Sequence, residues 1–341
     1  MLSCERATTP LELVCPAGSL AALKTAVDAG ADCVYTGYRD ATNARNFAGL
    51  NFTAQELEDG LRYAHAAGRR VFIAINTYPQ AAAFERWCAA IDRAAGSGAD
   101  AVIVADAGLM DYAARRHPQL RLHLSVQGSA TTYEAINFYR RHFKVQRAVL
   151  PRVLTLAQVE RLMQSTDVQI EVFGFGSLCV MVEGRCALSS FATGQSPNMS
   201  GVCSPASAVT WQSTPRGLES RLNGVLVDRY GPAEKAAYPT LCKGRYQVDG
   251  ETYYAIEEPC SLNTMELLPE LMRLGVAAVK IEGRQRSPAY VRDVTRAWRA
   301  AIDACLERPS AFAVRDEWRA VLGRLAEGQQ HTLGAFNKHW R

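Results

Sequence analysis

The chain has 341 residues, of which 48% are hydrophobic and 21% charged, and its formal net charge is +4. This length allows one large globular domain or two ordinary ones. The sequence has no apolar run of about eighteen residues, which argues against a membrane span. It has no block of about five like charges, which argues against a nucleic-acid-binding arm. The N-terminal stretch MLSCERATTP has neither a basic segment nor an apolar core, so it does not match a secretion signal, and we expect a cytoplasmic protein.

Short β-branched segments alternate with helical patterns from residue 11 onward. Apolar residues recur at helical spacing in segments such as LAALKTAVDAG, TAQELEDGLRYAHAAG and YEAINFYRRHF. Three helix-to-strand joints share one pattern, in which a glycine ends the helix directly before a strand, at 29–35, 97–104 and 274–281. The predicted strands are Leu11–Cys15, Asp32–Thr36, Val71–Asn76, Ala101–Ala105, Arg121–Ser125, Arg147–Leu150, Gln169–Phe173 and Ala277–Ile281.

Eight strands separated by helices predict an α/β fold of the (β/α)8 barrel type, with an open doubly wound sheet as the alternative. The first strand runs into CPAGS rather than a GxGxxG motif, so a dinucleotide-binding fold is not favoured. We therefore expect residues 11–175 and 263–305 to form a barrel-like domain and residues 306–341 to form a segment that wraps the barrel or contacts a partner.

The stretch between strand seven and the last helix–strand unit, residues 176–262, is far longer than an ordinary loop. In a barrel it would leave the C-terminal face, where active sites gather. It contains Cys179, Cys186, Cys203 and Cys242, four of the ten cysteines of the chain. Such thiols in a reducing compartment are buried hydrophobic residues, metal ligands or nucleophiles more often than disulfides.

The four cysteines follow the spacing C-x6-C-x16-C-x38-C. Structural zinc sites usually contain a close C-x2–4-C pair, and ferredoxins contain tight cysteine runs, neither of which is present. Spacing alone leaves an iron–sulfur cluster, a zinc site and unconnected thiols open. For a cluster, Ser177 and Ser189 are candidate hydrogen-bond donors to sulfur.

Polar residues at the ends of the predicted strands mark a candidate substrate site at the barrel mouth. Arginine forks there would suit a dicarboxylate through bidentate pairing, and ion pairs that cap the barrel are the alternative. We predict that substrate is bound by Arg45, Asn76, Arg152, Lys280, Glu282 and Arg284. Further candidates are Arg39, Asn43, Asp106 and Gln127. Cys15 is expected to face this mouth as a packing residue; Cys4 and Cys260 receive no role, and no catalytic residue is predicted.

The segment EVFGFGSLC (171–179), which continues to GRCALS (184–189), resembles the signature of the collagenase-like U-type peptidase family. Over about residues 11–341 the chain closely resembles the branch of that family that serves oxygen-independent ubiquinone biosynthesis. The segments that carry this similarity are NARNFAGLNFT, EAINFYRRHF, LPRVL, GLESRLN, YPTLCKGRY, SLNTMELLPEL and VKIEGRQRSPAYV.

This resemblance implies a [4Fe–4S] cluster bound by Cys179, Cys186, Cys203 and Cys242. It further implies a heterodimer with the related protein UbiV, and a lipid carrier, UbiT, that presents the polyprenylated ubiquinone precursor. The expected activity is oxygen-independent hydroxylation of the precursor ring, with prephenate as oxygen donor. If cysteines ligate all four irons, the cluster either transfers electrons or holds the insertion in shape.

Three other functions compare with this one as follows. Proteolysis is not expected, because the sequence lacks the HExxH motif and its six histidines lie in no recognisable triad motif. Family members that hydroxylate RNA bases share the cysteine signature, but they resemble longer chains, and this sequence has no basic, aromatic-interleaved stripe. A non-catalytic scaffold whose cluster stabilises a partner interface is the third alternative.

Overall fold

The computed structural model describes residues 11–179, 186–197 and 202–338, so Cys4 lies outside the described residues. Its strands, in chain order, are β1 (Glu12–Pro16), β2 (Cys33–Gly37), β3 (Arg70–Ile75), β4 (Ala101–Val104), β5 (Arg121–Leu124), β6 (Arg147–Val149), β7 (Gln169–Ser177), β8 (Val209–Thr214), β9 (Gly217–Leu222), β10 (Val225–Tyr230), β11 (Tyr246–Val248), β12 (Glu251–Tyr253), β13 (Ser261–Asn263), β14 (Ala278–Ile281) and β15 (His331–Thr332). Its α-helices are α1 (Leu20–Asp28), α2 (Ala54–Ala66), α3 (Phe84–Gly96), α4 (Ala107–Arg116), α5 (Tyr133–Phe143), α6 (Leu156–Ser165), α7 (Ala187–Thr193), α8 (Leu268–Leu274), α9 (Pro288–Glu307) and α10 (Asp316–Leu325).

Eight of these strands form a closed parallel barrel. β1 to β7 pair in chain order, and β14 pairs in parallel with both β1 and β7 and so closes the ring. The (β/α)8 prediction is therefore confirmed, and the open sheet is excluded because this ring has no free edge. In the described residues every helix is too short or too polar to cross a lipid bilayer.

The three predicted glycine joints have the expected backbone geometry. Gly30, Gly98 and Gly275 have φ angles of 99°, 78° and 78°, in the left-handed region that only glycine enters readily. Each glycine ends its helix and turns the chain directly into the next barrel strand. The repeated βα unit thus has a local, sequence-encoded stop signal.

β7 continues beyond Phe173, where the sequence pattern predicted its end. It reaches Ser177, because β13 pairs with the extension in antiparallel fashion from Ser261↔Ser177 to Asn263↔Phe175. The predicted strand ended before the two glycines Gly174 and Gly176. In the structure, Gly176 adopts a φ of 133° within a paired strand. The extension carries the chain from the barrel wall directly to Cys179.

The insertion contains a three-stranded sheet, β10-β9-β8, and the hairpin β11–β12. The C-terminal segment lies against both the barrel and this insertion. In α10, Trp318 and Leu322 are buried in the main hydrophobic core, and β15 pairs with β13. Lys243 of the insertion donates to Glu327 at 2.6 Å, which joins the two segments.

The barrel interior contains charged residues as well as the small apolar side chains expected there. Arg147 on β6 is 0% exposed, and its guanidinium contacts Glu12 at 2.8 Å and Glu171 at 3.4 Å. Glu171 in turn accepts from Lys280 at 2.7 Å. Because buried charges are costly unless paired, this column of alternating charge stabilises the barrel only while every member is present.

His123 on β5 is the buried histidine of this interior. It packs edge to face on Phe72 with ring centroids 4.7 Å apart, and neither ring nitrogen has a hydrogen-bond partner among the described residues. Burial, reinforced by nearby Arg147 and Arg121, holds the pKa of His123 well below its usual value. The ring is therefore neutral in the folded protein.

This neutral histidine predicts a loss of stability in mild acid. Below about pH 6.5 the unfolded chain binds a proton at position 123 that the folded chain does not, so the free energy of unfolding falls by at most about 1.4 kcal/mol per pH unit. We expect His123→Leu to reduce this slope between about pH 5 and 6.5, as measured by urea denaturation. An unchanged slope would show that other groups cause the acid sensitivity.

Candidate functional site

A pocket at the C-terminal ends of the barrel strands, here called the barrel-mouth pocket, covers about 540 Å³ of space, part of it open to solvent. The cavity volume itself is about 50 Å³. All six predicted substrate residues line it together with aromatic and small side chains, so the structure brings them together. Its lining consists of Tyr35, Ala44, Arg45, Ala74, Asn76, Ile103, Ser125, Val126, Gln127, Val149, Arg152, Phe173, Lys280, Glu282 and Arg284.

The loop after β2 is held over this pocket by two asparagines. Asn76 accepts from the backbone N–H of Ala44 at 3.1 Å and donates to Ser125 at 3.2 Å. Asn43 accepts from the Arg284 guanidinium at 2.6 Å. Asn76 and Asn43 therefore position the loop that carries Arg45 through these side-chain hydrogen bonds.

Glu282 lies among the arginines of the pocket. Arg45 approaches its carboxylate to 3.6 Å. Burial alone would raise the pKa of Glu282, but the guanidinium groups of Arg45, Arg152, Arg286 and Arg284 hold it below its usual value. The lining of the pocket contains four cationic side chains and one carboxylate, a set that can pair with an anionic ligand.

Two of the remaining candidates lie elsewhere. Asp106 caps α4 by accepting from the N–H of Leu109 at 2.8 Å, which is the usual role of an aspartate directly before a helix. Arg39 pairs with Glu56 at 3.0 Å on the surface. The prediction that Cys15 faces the mouth is wrong. Its thiol accepts a hydrogen bond from Thr295 of α9 at 3.2 Å, because alternate residues of β1 point outward. Burial raises the pKa of the Cys15 thiol to about 12.

A second cavity of about 940 Å³, part of it open to solvent, lies between the insertion and the barrel and is here called the cysteine cavity. Cys179, Cys186, Cys203 and Cys242 all line it. They come from the end of β7, the start of α7, the loop before β8 and the turn before β11. The fold therefore brings to one cavity four thiols that are far apart in sequence. Its other lining residues are Arg45, Phe47, Ser177, Leu178, Ser189, Pro197, Val202, Tyr238, Thr240, Leu241, Lys243, Glu282, Gln285 and Glu327.

The surroundings of these thiols are partly apolar. Burial raises the pKa of Cys203 and raises that of Cys242 to about 11, so each needs a bound cation to become a thiolate. The N–H of Ser189 donates to the Cys186 sulfur at 3.4 Å. The Ser189 hydroxyl, however, donates to the carbonyl oxygen of Cys203 instead of to a sulfur atom.

The four thiols are donors of a type that zinc ions and iron–sulfur clusters both accept. Within the described ranges, no three His, Cys, Asp or Glu side chains lie close enough together to hold one metal ion. A zinc ion would need its thiolates about 3.8 Å apart, given a zinc–sulfur bond of about 2.3 Å. A four-iron cluster is larger and takes four thiolates from around a cavity, and all four cysteines line this cavity.

The two cavities share a wall. Arg45 and Glu282, the ion pair at the barrel mouth, line both of them. At Gly176, a Cβ atom would lie 2.6 Å from the Cβ of Glu282, so only glycine lets β7 pass this close. A ligand in the barrel-mouth pocket is thus separated from the cysteine cavity by one layer of side chains.

Several residues of the site carry no signal in the sequence pattern. Lys243 is buried beside Cys242 and pairs with Glu327, about eighty positions later in the chain. Tyr238 packs edge to face on Phe47 and donates to the carbonyl of Ser204 at 3.1 Å. Only the similarity of YPTLCKGRY to family members pointed to this region, because these contacts join segments that are distant in sequence.

The described histidines form no protease-like constellation. His65 pairs with Asp100 at 2.8 Å and His117 with Asp92 at 2.6 Å, both on the outer helices. His123 is buried in the barrel interior without a hydrogen-bond partner among the described residues. None of these three is hydrogen-bonded to a serine or cysteine in the described part of the chain.

The chain is similar to several known proteins. The chain is 33% identical over 302 residues to an uncharacterized protease of Methanocaldococcus jannaschii, covering 87% of this chain and 66% of the relative. It is 31% identical over 314 residues to tRNA hydroxylation protein P of Escherichia coli, covering 86% and 68%. It thus spans about two thirds of the length of these relatives. A solved U32 peptidase structure shares 17% identity over 52% of this chain and 74% of its own, with a TM-score of 0.44. Residues 18–338 match the profile of Peptidase family U32, and the chain belongs to that family.

Proposed function

We propose that this chain is a UbiU-type protein: an iron–sulfur subunit required for oxygen-independent hydroxylation of the ubiquinone precursor ring. It would act as a heterodimer with UbiV, receive its polyprenylated substrate from the lipid carrier UbiT and use prephenate as oxygen donor. The protein would not act as a peptidase. The support for this branch of the family is the sequence similarity of segments such as NARNFAGLNFT and YPTLCKGRY.

The main structural support for a redox or hydroxylation role is the wall that the two cavities share. Arg45 and Glu282 line the cationic barrel-mouth pocket and also the cavity with the four cysteines. A substrate bound at the mouth would lie next to a cluster bound by those cysteines. A peptidase has no use for this arrangement, whereas a redox hydroxylation does.

In this proposal the residues of the pocket bind and orient the oxygen donor. Arg152 lies 3.5 Å from the ring centroid of Phe173, which fixes its guanidinium plane over an apolar floor. Arg284 is held by Asn43 and is fully buried, which lowers its pKa to about 10. Both can pair with carboxylates of a dianion such as prephenate. When bound, the cluster would supply one-electron transfer or local structure.

A second candidate is hydroxylation of an RNA base. It is favoured by the names of two relatives, tRNA hydroxylation protein P and a 23S rRNA 5-hydroxycytidine synthase of Escherichia coli that is 29% identical over 317 residues. In this candidate the acceptor of the oxygen atom is an RNA base instead of the ubiquinone precursor ring.

Deletion of the gene tests the proposal. We expect ubiquinone to disappear in cells grown without oxygen and to remain normal in air, as measured by lipid extraction and chromatography. A loss in air as well, or normal ubiquinone with a missing hydroxylated base in tRNA or rRNA, would contradict it.

Arg152→Met then separates a catalytic subunit from a scaffold. Loss of one charge-assisted contact with the oxygen donor predicts a roughly ten- to hundredfold slower accumulation of ubiquinone after a shift to anaerobic growth. Arg140→Met, which removes a surface ion pair with Asp167, is the matched control. If Arg152→Met is as active as the wild type while cluster variants are inactive, the pocket has no catalytic use and the scaffold alternative is correct.

A further inference from the structure

Lys280 differs from the other lysines of the described chain in its surroundings. It lies on the last barrel strand, its side chain is 6% exposed, and it lines the barrel-mouth pocket. Lys24 and Lys144 are exposed, and Lys243 is buried in the insertion. Lys280 is therefore a primary amine on the wall of the barrel-mouth pocket.

The amine has a fixed position. Its Nζ donates to Glu171 at 2.7 Å and lies 3.8 Å from the ring centroid of Tyr35. Tyr35 is itself fixed, because its hydroxyl donates to the carbonyl of Ile281 at 2.9 Å. The side chain is thus held between a carboxylate on one side and an aromatic face on the other.

The surroundings also weaken the ammonium form. Burial lowers the pKa of Lys280 against the opposing effect of Glu171, and Arg284 and Arg147 lower it further. A desolvated lysine near other cations is the usual form of a lysine that reacts with carbonyl groups. Glu171, which already receives a hydrogen bond from this ammonium, is placed to accept its proton.

The remaining charges select the carbonyl compound. Arg45, Arg152 and Arg284 line the same pocket as Lys280. A carboxylate bound by these arginines would bring an adjacent carbonyl carbon toward the pocket wall where Lys280 lies. The ligand that satisfies both features is an α-keto carboxylate.

We propose that Lys280 captures the keto carbon of an α-keto carboxylate as a Schiff base. The ammonium gives a proton to Glu171, the amine attacks the carbonyl carbon, and the resulting carbinolamine loses its oxygen as water after Glu171 returns the proton. The sum is an ammonium ion plus a ketone giving an iminium ion plus water, with no oxidant or reductant. The inference deepens the proposed function, because prephenate carries an α-keto carboxylate. It rests on the proposed function only for this class of substrate.

The Schiff base makes a chemical difference that a purely structural ion pair does not. An iminium at the keto carbon withdraws electrons from the neighbouring bonds and fixes the keto acid in one orientation. A Lys280–Glu171 pair that only stabilises the barrel would not react with carbonyl compounds. Covalent trapping distinguishes the two.

The test is reductive trapping on the whole chain. The purified protein is incubated with pyruvate or phenylpyruvate and sodium cyanoborohydride, digested, and mapped by mass spectrometry. We expect one secondary amine adduct, at Lys280, that forms at least about tenfold faster than adducts at exposed lysines, because only Lys280 is held next to bound keto acid. An adduct confined to exposed lysines, or none at all, would overturn the proposal.

Two variants complete the experiment. Lys280→Arg keeps the positive charge beside Glu171 but cannot form an imine, so the adduct should vanish while near-ultraviolet circular dichroism stays unchanged. Lys24→Arg, a surface change, should leave the adduct intact. Because the adduct is mapped in the wild-type protein, the result stands even if Lys280→Arg folds poorly. If Lys280 forms the adduct but deletion of the gene leaves anaerobic ubiquinone normal, this inference is upheld and the proposed function is rejected. If the Lys280→Arg variant still supports anaerobic ubiquinone formation, the proposed function is upheld and this inference is rejected.

Discussion

Replacing Cys179 and Cys186 together by alanine is expected to abolish iron binding. The anaerobically purified wild-type chain should contain about four irons and four acid-labile sulfides, and the double variant close to none, because two of the four ligands are missing. Cys179 is exposed and Cys186 half-buried, so their loss leaves no large cavity in the core and the barrel should remain folded. Iron, sulfide and the visible absorption of the cluster are the measurements.

The matched control is Cys88→Ala. Cys88 lies on α3, outside the cysteine cavity, and is half-buried like Cys186. It should retain full iron and sulfide. Unchanged iron in the double variant, or equal loss in the control, would rule out the assignment of these cysteines as ligands.

Arg147→Met is expected to give the largest loss of stability among single substitutions in the barrel interior. Arg147 is 0% exposed and contacts Glu12, Glu171 and Gln169. Removing it leaves the buried carboxylate of Glu171 and the half-buried carboxylate of Glu12 with fewer partners, which should lower the free energy of unfolding by about 3–5 kcal/mol. Urea denaturation followed by circular dichroism measures this loss.

A surface pair provides the comparison for this effect. Arg140 contacts Asp167 at 2.6 Å, but both side chains are largely exposed. Arg140→Met should therefore change stability by less than about 1 kcal/mol. If the two variants were equally stable, the interior column would not be a stabilising network and its charges would need another explanation.

The barrel strands were predictable because their signal is local. Runs such as AVIV (101–104) are buried on both faces, and a glycine with left-handed backbone geometry precedes several of them. A buried strand of this kind needs only β-branched residues and a helix stop, both of which are visible in a short window of sequence. Errors occurred where a strand was extended by a distant partner, as when β13 prolongs β7 to Ser177.

The direction of individual side chains was less predictable. Cys15 was expected at the mouth but packs on Thr295 of α9, because a shift of one residue along a strand moves a side chain to the opposite face. Asp106 was expected in the substrate site but caps α4. A polar residue after a strand can either serve the ligand or begin the next helix, and the sequence alone does not distinguish these roles.

The amino-acid sequence by itself determined the number of barrel strands, the place of the long insertion and the residue types at the strand ends, since these depend on local periodicity and on helix stop signals. Only the tertiary structure decided that Cys179 and Cys242 line one cavity, that Arg45 and Glu282 separate it from the barrel-mouth pocket, and that Lys280 lies between Glu171 and Tyr35. These relations join segments up to about 240 residues apart, and they arise because closing the barrel brings the C-terminal ends of all eight strands to one rim.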